Sequence, residues 1–150
     1  MRIDMEIRRA AKEDIPAAAA LEAACFPLGA DLSALERMRT FSDRVLLCAA
    51  EGGEVLGYAY FQFVLDEGYV GDLAVRPDRR REGIGAALVD AMCAEGRRLG
   101  LSFLTLEVRE SNLPARALYA GQGFVDVGVR RGYYEKPREN AVLMTRTLGE

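Results

Sequence analysis

The chain contains no histidine and no tryptophan, has Lys12 and Lys136 as its only lysines, and carries three cysteines. Without histidine, Ser-His-Asp and Cys-His catalysis, the His-containing zinc motifs and the commonest general base are all excluded. Acid–base work must fall to carboxylate, tyrosine, backbone or water, and no metal is called for. Cys25, Cys48 and Cys93 are odd in number, far apart and set among apolar neighbours, which predicts reduced core thiols rather than a disulfide framework. No apolar run approaches membrane-spanning length. The opening Met1-Arg2-Ile3-Asp4-Met5-Glu6 alternates charge with apolar residues, as no signal peptide does. A cytoplasmic protein without membrane contact is expected.

What is present suits one domain over residues 1–150, with hydrophobic content of 50% and charged content of 29%. The net charge is −3, yet the cations are nearly all arginine, a residue favoured for planar phosphate contacts. The chain is organised around the stretch from Val70 to Leu88. Apolar residues lead to Val75, Pro77 stops the strand, and helical spacing begins at Ile84. Gly83 and Gly85 sit at the turn into that helix, where unpaired N–H groups carry partial positive charge. Arg79, Arg80 and Arg81 lie beside it, so a phosphate or pyrophosphate is the natural guest. The alternative is a solvated basic loop with convenient glycines. Neither the Walker loop nor the dinucleotide glycine motif is matched.

Elsewhere the patterning predicts strands over Ile3–Arg8, Val45–Ala50, Val55–Leu65, Tyr69–Val75, Ser102–Val108, Phe124–Arg130 and Ala141–Thr147. Helices are expected from Ile15 to about Phe26 with Asp14 as cap, and from Ser33 to about Phe41 with Ser33 as cap and Glu36 three residues on. Two more are expected from Gly83 to Leu99 and, capped by Ser111 or Asn112, to near Gly121. A Tyr-rich loop should join the last two strands.

Two side chains stand out as reactive. Glu107 interrupts the apolar strand Leu104-Thr105-Leu106-Glu107-Val108, where burial would raise the carboxyl pKa toward that of a useful base. It could equally face solvent or pair with an arginine. Tyr119 follows on the next helix; its hydroxyl could protonate a leaving group, or its ring could merely fill the core.

The segment Arg80-Arg81-Glu82-Gly83-Ile84-Gly85 resembles the coenzyme A signature of the GNAT N-acetyltransferase superfamily. Together with Leu73-Ala74-Val75, Leu106-Glu107-Val108-Arg109, Ser111-Asn112, Ala117-Leu118-Tyr119 and Gly123-Phe124, it is similar to the ribosomal-protein alanine N-acetyltransferase branch. The resemblance covers nearly the whole chain. It implies an α/β (α+β) fold with a mixed, mostly antiparallel sheet of about seven strands flanked by about four helices. It further implies Glu107 as proton acceptor, Tyr119 as proton donor, and acetyl-CoA contacts from Leu73, Ala74, Val75, Arg80, Arg81, Glu82, Gly83, Ile84, Gly85, Ala86 and Asn112. Arg131, Tyr133 and Tyr134 resemble the family's Arg-Arg-Asn-Tyr-Tyr segment near the acceptor, with Gly132 in place of the asparagine. Phe26 and Leu28 match its Phe-Pro-Trp, with Leu28 in place of the tryptophan.

The implied activity is acetyl transfer from acetyl-CoA to the N-terminal α-amine of a protein or peptide. A lysine side chain or small-molecule amine as acceptor is the alternative, and a non-catalytic acyl-CoA sensor is the rival of another class. Nucleic-acid binding through Arg76 to Arg81 is disfavoured by a short run, a net acidic chain and no interleaved aromatics. A monomer or weak dimer is expected.

Overall fold

The computed structural model describes residues 5–26 and 31–149. Eleven regular elements follow in order: β1 (Met5–Arg9), α1 (Ile15–Cys25), α2 (Leu32–Thr40), β2 (Arg44–Glu51), β3 (Glu54–Val64), β4 (Glu67–Val75), α3 (Ile84–Arg98), β5 (Phe103–Arg109), α4 (Leu113–Gly121), β6 (Val125–Tyr134) and β7 (Glu139–Thr147). The strands form one seven-stranded sheet in the order β1-β2-β3-β4-β5-β7-β6. Every pairing is antiparallel except β4 with β5. The expected mixed sheet and four helices are therefore present.

Helices cover both faces, which is why β2 is apolar almost throughout instead of alternating. Val45, Leu47, Leu56, Ala59 and Phe61 pack with Leu88, Val89 and Met92 of α3. Leu46, Cys48, Tyr58 and Ala74 point the other way, into a second cluster with Ile15, Ala18 and Leu21 of α1 and Leu35 of α2. All three cysteines are free thiols, as expected, but Cys25 is only half-buried and sits at the edge of the second cluster, unlike Cys48 and Cys93.

Several local expectations need correcting. Ser33 lies inside α2, where its hydroxyl accepts from Arg37; the cap is Asp31, whose carboxylate accepts the Ala34 N–H at 2.9 Å. Glu36 is held by Arg39 instead of closing a capping box. Asn112, not Ser111, caps α4. The tyrosines expected in a loop belong to β6, because its pairing with β7 resumes at Tyr134↔Glu139 after an irregularity. Ile3, predicted to open β1, lies outside the described residues.

Asp14 stands at the N-cap position of α1, but its carboxylate makes no cap bond. Its carboxylate, 8% exposed, instead receives two nitrogens of Arg8 and the Ala11 N–H. Burial alone would raise this carboxyl, but the bonds from Arg8 and Ala11 outweigh it and hold it below the ordinary carboxylate range. A depressed carboxyl contributes stability in full above its unfolded pKa, roughly 3.9, and loses it as pH falls through the folded value. Asp14→Ala should lower unfolding free energy at pH 7 by about 1–3 kcal/mol, the usual cost of stranding such partners. The deficit should vanish in denaturant melts at the acid end, where the parent carboxylate is protonated as well.

Candidate active site

Strands β4 and β5 pair over only three residues, Glu67↔Phe103 to Tyr69↔Thr105. Beyond that point β5 stays paired with β7 as far as Arg109↔Ala141, and β4 with β3 as far as Val75↔Gly57. Each keeps its other neighbour, so the two splay and a wedge opens between them.

The Arg76 N–H donates to Leu56 O at 2.8 Å. Alternation along an antiparallel ladder then turns the amides of Leu73 and Val75 away from β3 and into the wedge, and turns that of Ala74 toward β3. The expected donor contacts on this strand thus divide: Leu73 and Val75 offer backbone to the opening, while the Ala74 side chain is buried in the α1 layer.

The turn into α3 lies beside these residues. A side chain built on Gly85 would sit 3.4 Å from Leu118 and 3.9 Å from Leu73, so the start of α3 is flanked by β4 and α4. Gly83 caps the helix in the left-handed region at φ 83° and has nothing within 4 Å of where a Cβ would stand. The first bond of the helix runs from the Ala87 N–H to Gly83 O, so the amides of Ile84, Gly85 and Ala86 point past its end.

The arginines have distinct duties. Arg79, 17% exposed, bonds Glu82 and Glu51 and ties the loop to β2; Glu82 therefore lends its side chain to the loop itself. Arg80 reaches back to Val75 O and Cys25 Sγ. Arg81, at φ 66° and exposed, makes no side-chain bond among the described residues and is the cation left for an anion. A separate groove of about 740 Å³ lies between α1 and the β3 end, but its cations Arg8 and Arg76 are each neutralised in place, by Asp14 and by Asp78 with Glu54.

Tyr119 is 6% exposed and packs edge-on to Phe124 with ring centres 5.3 Å apart. Its hydroxyl bonds no described residue, yet it is not among the side-chain atoms sealed from solvent. Burial first, then the charge of Asp72, push its phenol well above the usual range, so it holds its proton at neutral pH.

Glu107 is partly buried: the side chain is 30% exposed and bonds Arg130 Nε at 2.7 Å, while the Tyr133 hydroxyl donates at 3.3 Å. The arginine partner foreseen as an alternative is thus present. Arg130 also lies over the Tyr133 ring.

The aromatic pair is set by the irregularity in β6. Three residues, Arg131 to Tyr133, stand opposite Asn140, and Gly132 takes φ 61° with its N–H on Asn140 Oδ1. Asparagine is the side chain that best tolerates that conformation, so glycine here keeps the backbone of the resembled motif. Tyr134 is clamped by Arg109, 4.5 Å above its ring, and Arg109 also bonds Glu139 and the carbonyls of Glu135 and Pro137. Burial, then Tyr133, Glu107 and Asp72 push the Tyr134 phenol up to about 12, against Arg109. Arg131 is exposed and makes no side-chain hydrogen bond or ion pair among the described residues; Phe26 ends α1 half-buried; Leu28 lies outside the described residues.

Residues 15–124 match the model of the acetyltransferase (GNAT) family. The chain belongs to that family. It is 41% identical over 96 residues to the [ribosomal protein bS18]-alanine N-acetyltransferase of Escherichia coli K12, covering 63% of this chain and 65% of that protein. The alignment thus spans slightly under two thirds of that relative. The E. coli ribosomal-protein-S18-alanine N-acetyltransferase crystal structure superposes with TM-score 0.87 at 30% identity, over 97% of this chain and 95% of that one. The structure of yncA from Salmonella typhimurium with its cofactor acetyl-CoA superposes with TM-score 0.85 over 98% and 95%, at 21% identity a likeness of fold.

Sequence reading singled out neither Asp72, which sits on β4 at the wedge, nor Tyr60, whose hydroxyl bonds it at 3.1 Å. A signal was there. Asp72 is a lone carboxylate in the apolar run Val70-Gly71-Asp72-Leu73-Ala74-Val75, the same pattern that drew attention to Glu107.

Proposed function

We propose that this chain transfers the acetyl group of acetyl-CoA to the N-terminal α-amine of a protein, a ribosomal protein being the favoured acceptor, and does so in the cytoplasm. What supports the reading is the wedge, with two strand amides turned into it and an open helix N-terminus beside it, together with a Tyr119 hydroxyl that bonds no described residue. The relatives' names supply the acceptor class.

The residues present fit the donor. The amides of Ile84 to Ala86, the bare Gly83 and Gly85 positions and Arg81 would hold its pyrophosphate. Acetyl-CoA supplies a thioester-activated acetyl group. The amides of Leu73 and Val75 would polarise a carbonyl lying in the wedge, as an oxyanion site does. The Tyr119 hydroxyl, protonated at neutral pH, would give its proton to departing sulfur. An α-amine of pKa near 8 is already about one tenth neutral at pH 7, so a carboxylate such as Glu107 need only accept a proton as the new bond forms. Asn112 would serve by fixing the start of α4, which carries Tyr119.

The test is incubation with acetyl-CoA and a synthetic peptide beginning with alanine, read by mass spectrometry. Acetylation at the terminal amine is expected, and acetylation confined to lysine side chains or small amines would overturn the reading. Tyr133 and Tyr134, whose rings meet edge-on 5.0 Å apart, would present aromatic surface to that peptide. Tyr134→Ala should raise acceptor KM about tenfold while leaving donor affinity unchanged; steady-state kinetics with calorimetry separates the two.

A further inference from the structure

The irregularity between β3 and β4 places Gly71 and Asp72 together opposite Tyr60, since Ala59 pairs with Leu73 and Phe61 with Val70. A Cβ on Gly71 would stand 2.0 Å from the Tyr60 ring, so the bare glycine is what lets that ring lie across β4 and put its hydroxyl on Asp72. Tyr60 in turn stacks on Tyr58, with ring centres 6.4 Å apart and planes 8° from parallel. Tyr58 is fully buried and donates to Glu22, a carboxylate with no exposure. The side of Asp72 that faces Tyr60 is thereby built from the core outward.

Asp72 stands next to Leu73, whose amide is turned into the wedge. Asp72 alternates with Leu73 and so shares the sheet face of Ala74, the face toward α1. The Tyr60 hydroxyl holds the carboxylate at 3.1 Å, and after burial the Asp72 charge adds to the raising of the phenols of Tyr60, Tyr119 and Tyr134. No cation pairs with it among the described residues, whereas Glu107, on the strand across the wedge, is already bonded to Arg130. An acidic oxygen fixed by one phenol and lacking a counter-ion among the described residues matches a protonated amine, which attracts both carboxylate and aromatic groups.

We propose that Asp72 is the residue that recognises the acceptor's ammonium group: the charged amine is received by the Asp72 carboxylate beside Tyr60 before it reacts. This rests on the acetyl-transfer reading above. Asp72 acts here by binding and orienting; the ammonium gives one proton to water as the amine turns toward the acetyl carbonyl, and the second, lost as the new bond forms, goes to Glu107 as proposed above.

The experiment compares parent and Asp72→Asn, which keeps the bond to Tyr60 and removes the charge. Two peptides are used, one beginning with free alanine and the same peptide lacking its terminal nitrogen. Binding is measured by calorimetry in the presence of CoA at pH 6.5 and pH 9. The parent should prefer the amine peptide about tenfold at pH 6.5 and lose most of that preference at pH 9, where the amine is neutral. Asp72→Asn should show no preference at either pH and raise acceptor KM about tenfold, with donor affinity and melting temperature unaltered. Tyr60→Phe, which frees the carboxylate to turn away, should give a smaller rise. A parent that acetylates the peptide alongside an Asp72→Asn variant with unchanged amine preference overturns the Asp72 assignment alone. A parent that acetylates no N-terminal peptide overturns the reading and the assignment together.

Discussion

Tyr119→Phe will fold as stably as the parent and bind the donor equally well, yet turn over roughly two to four orders of magnitude more slowly, the usual worth of a positioned acid. The expectation of unchanged stability comes from the hydroxyl's surroundings. It bonds no described residue, so its removal strands no partner, while the ring keeps its edge-on packing against Phe124. A tyrosine kept for packing alone would give near-parent turnover. Thermal melts, donor calorimetry and single-turnover acetylation separate the two roles, and near-normal turnover would return Tyr119 to the core.

Gly83→Val should weaken acetyl-CoA binding by a factor of about 100 or more, the loss expected when several amide contacts to a phosphate are blocked. The new side chain meets no protein atom within 4 Å of its Cβ, so what it obstructs is the approach to the amides of Ile84 to Ala86. Its backbone cost comes from the φ of 83°, which a β-branched residue resists by about 1–2 kcal/mol. Gly100 supplies the control, with φ 80° and equally open space at the far end of α3. Gly100→Val should melt at a similarly lowered temperature and bind acetyl-CoA as the parent does. Equal donor affinity in both variants would remove the phosphate role from the loop.

Most of the fold was legible because its elements are marked by local chemistry. Pro77, the paired glycines, Gly100 and Pro114 punctuate the chain at the residues where strands stop and helices start. The caps were less legible, since Asp31 and Ser33 are both good caps and only the observed bond to Ala34 decides between them. Long-range pairing was out of reach. Nothing near Arg79 in sequence says that Glu51, 28 residues away, will claim it, and nothing near Glu107 says that Arg130 will. Asp72 was passed over for the same reason: its significance depends on Tyr60, Tyr119 and Tyr134 arriving from three other elements.

The three-residue pairing of β4 with β5 has a mechanical side. It is the seam between β1 to β4 on one hand and β5, β7 and β6 on the other, and every other pairing in the sheet is longer. Helices α3 and α4 must carry much of the load across it, through contacts such as Leu118 against the start of α3. A donor seated in the wedge, bonded to β4 and touching α3, acts as a ligature over the seam. Its binding energy adds to cohesion, about 2.7 kcal/mol at a hundred times its dissociation constant. Without a donor the protein would be the less cohesive across that seam.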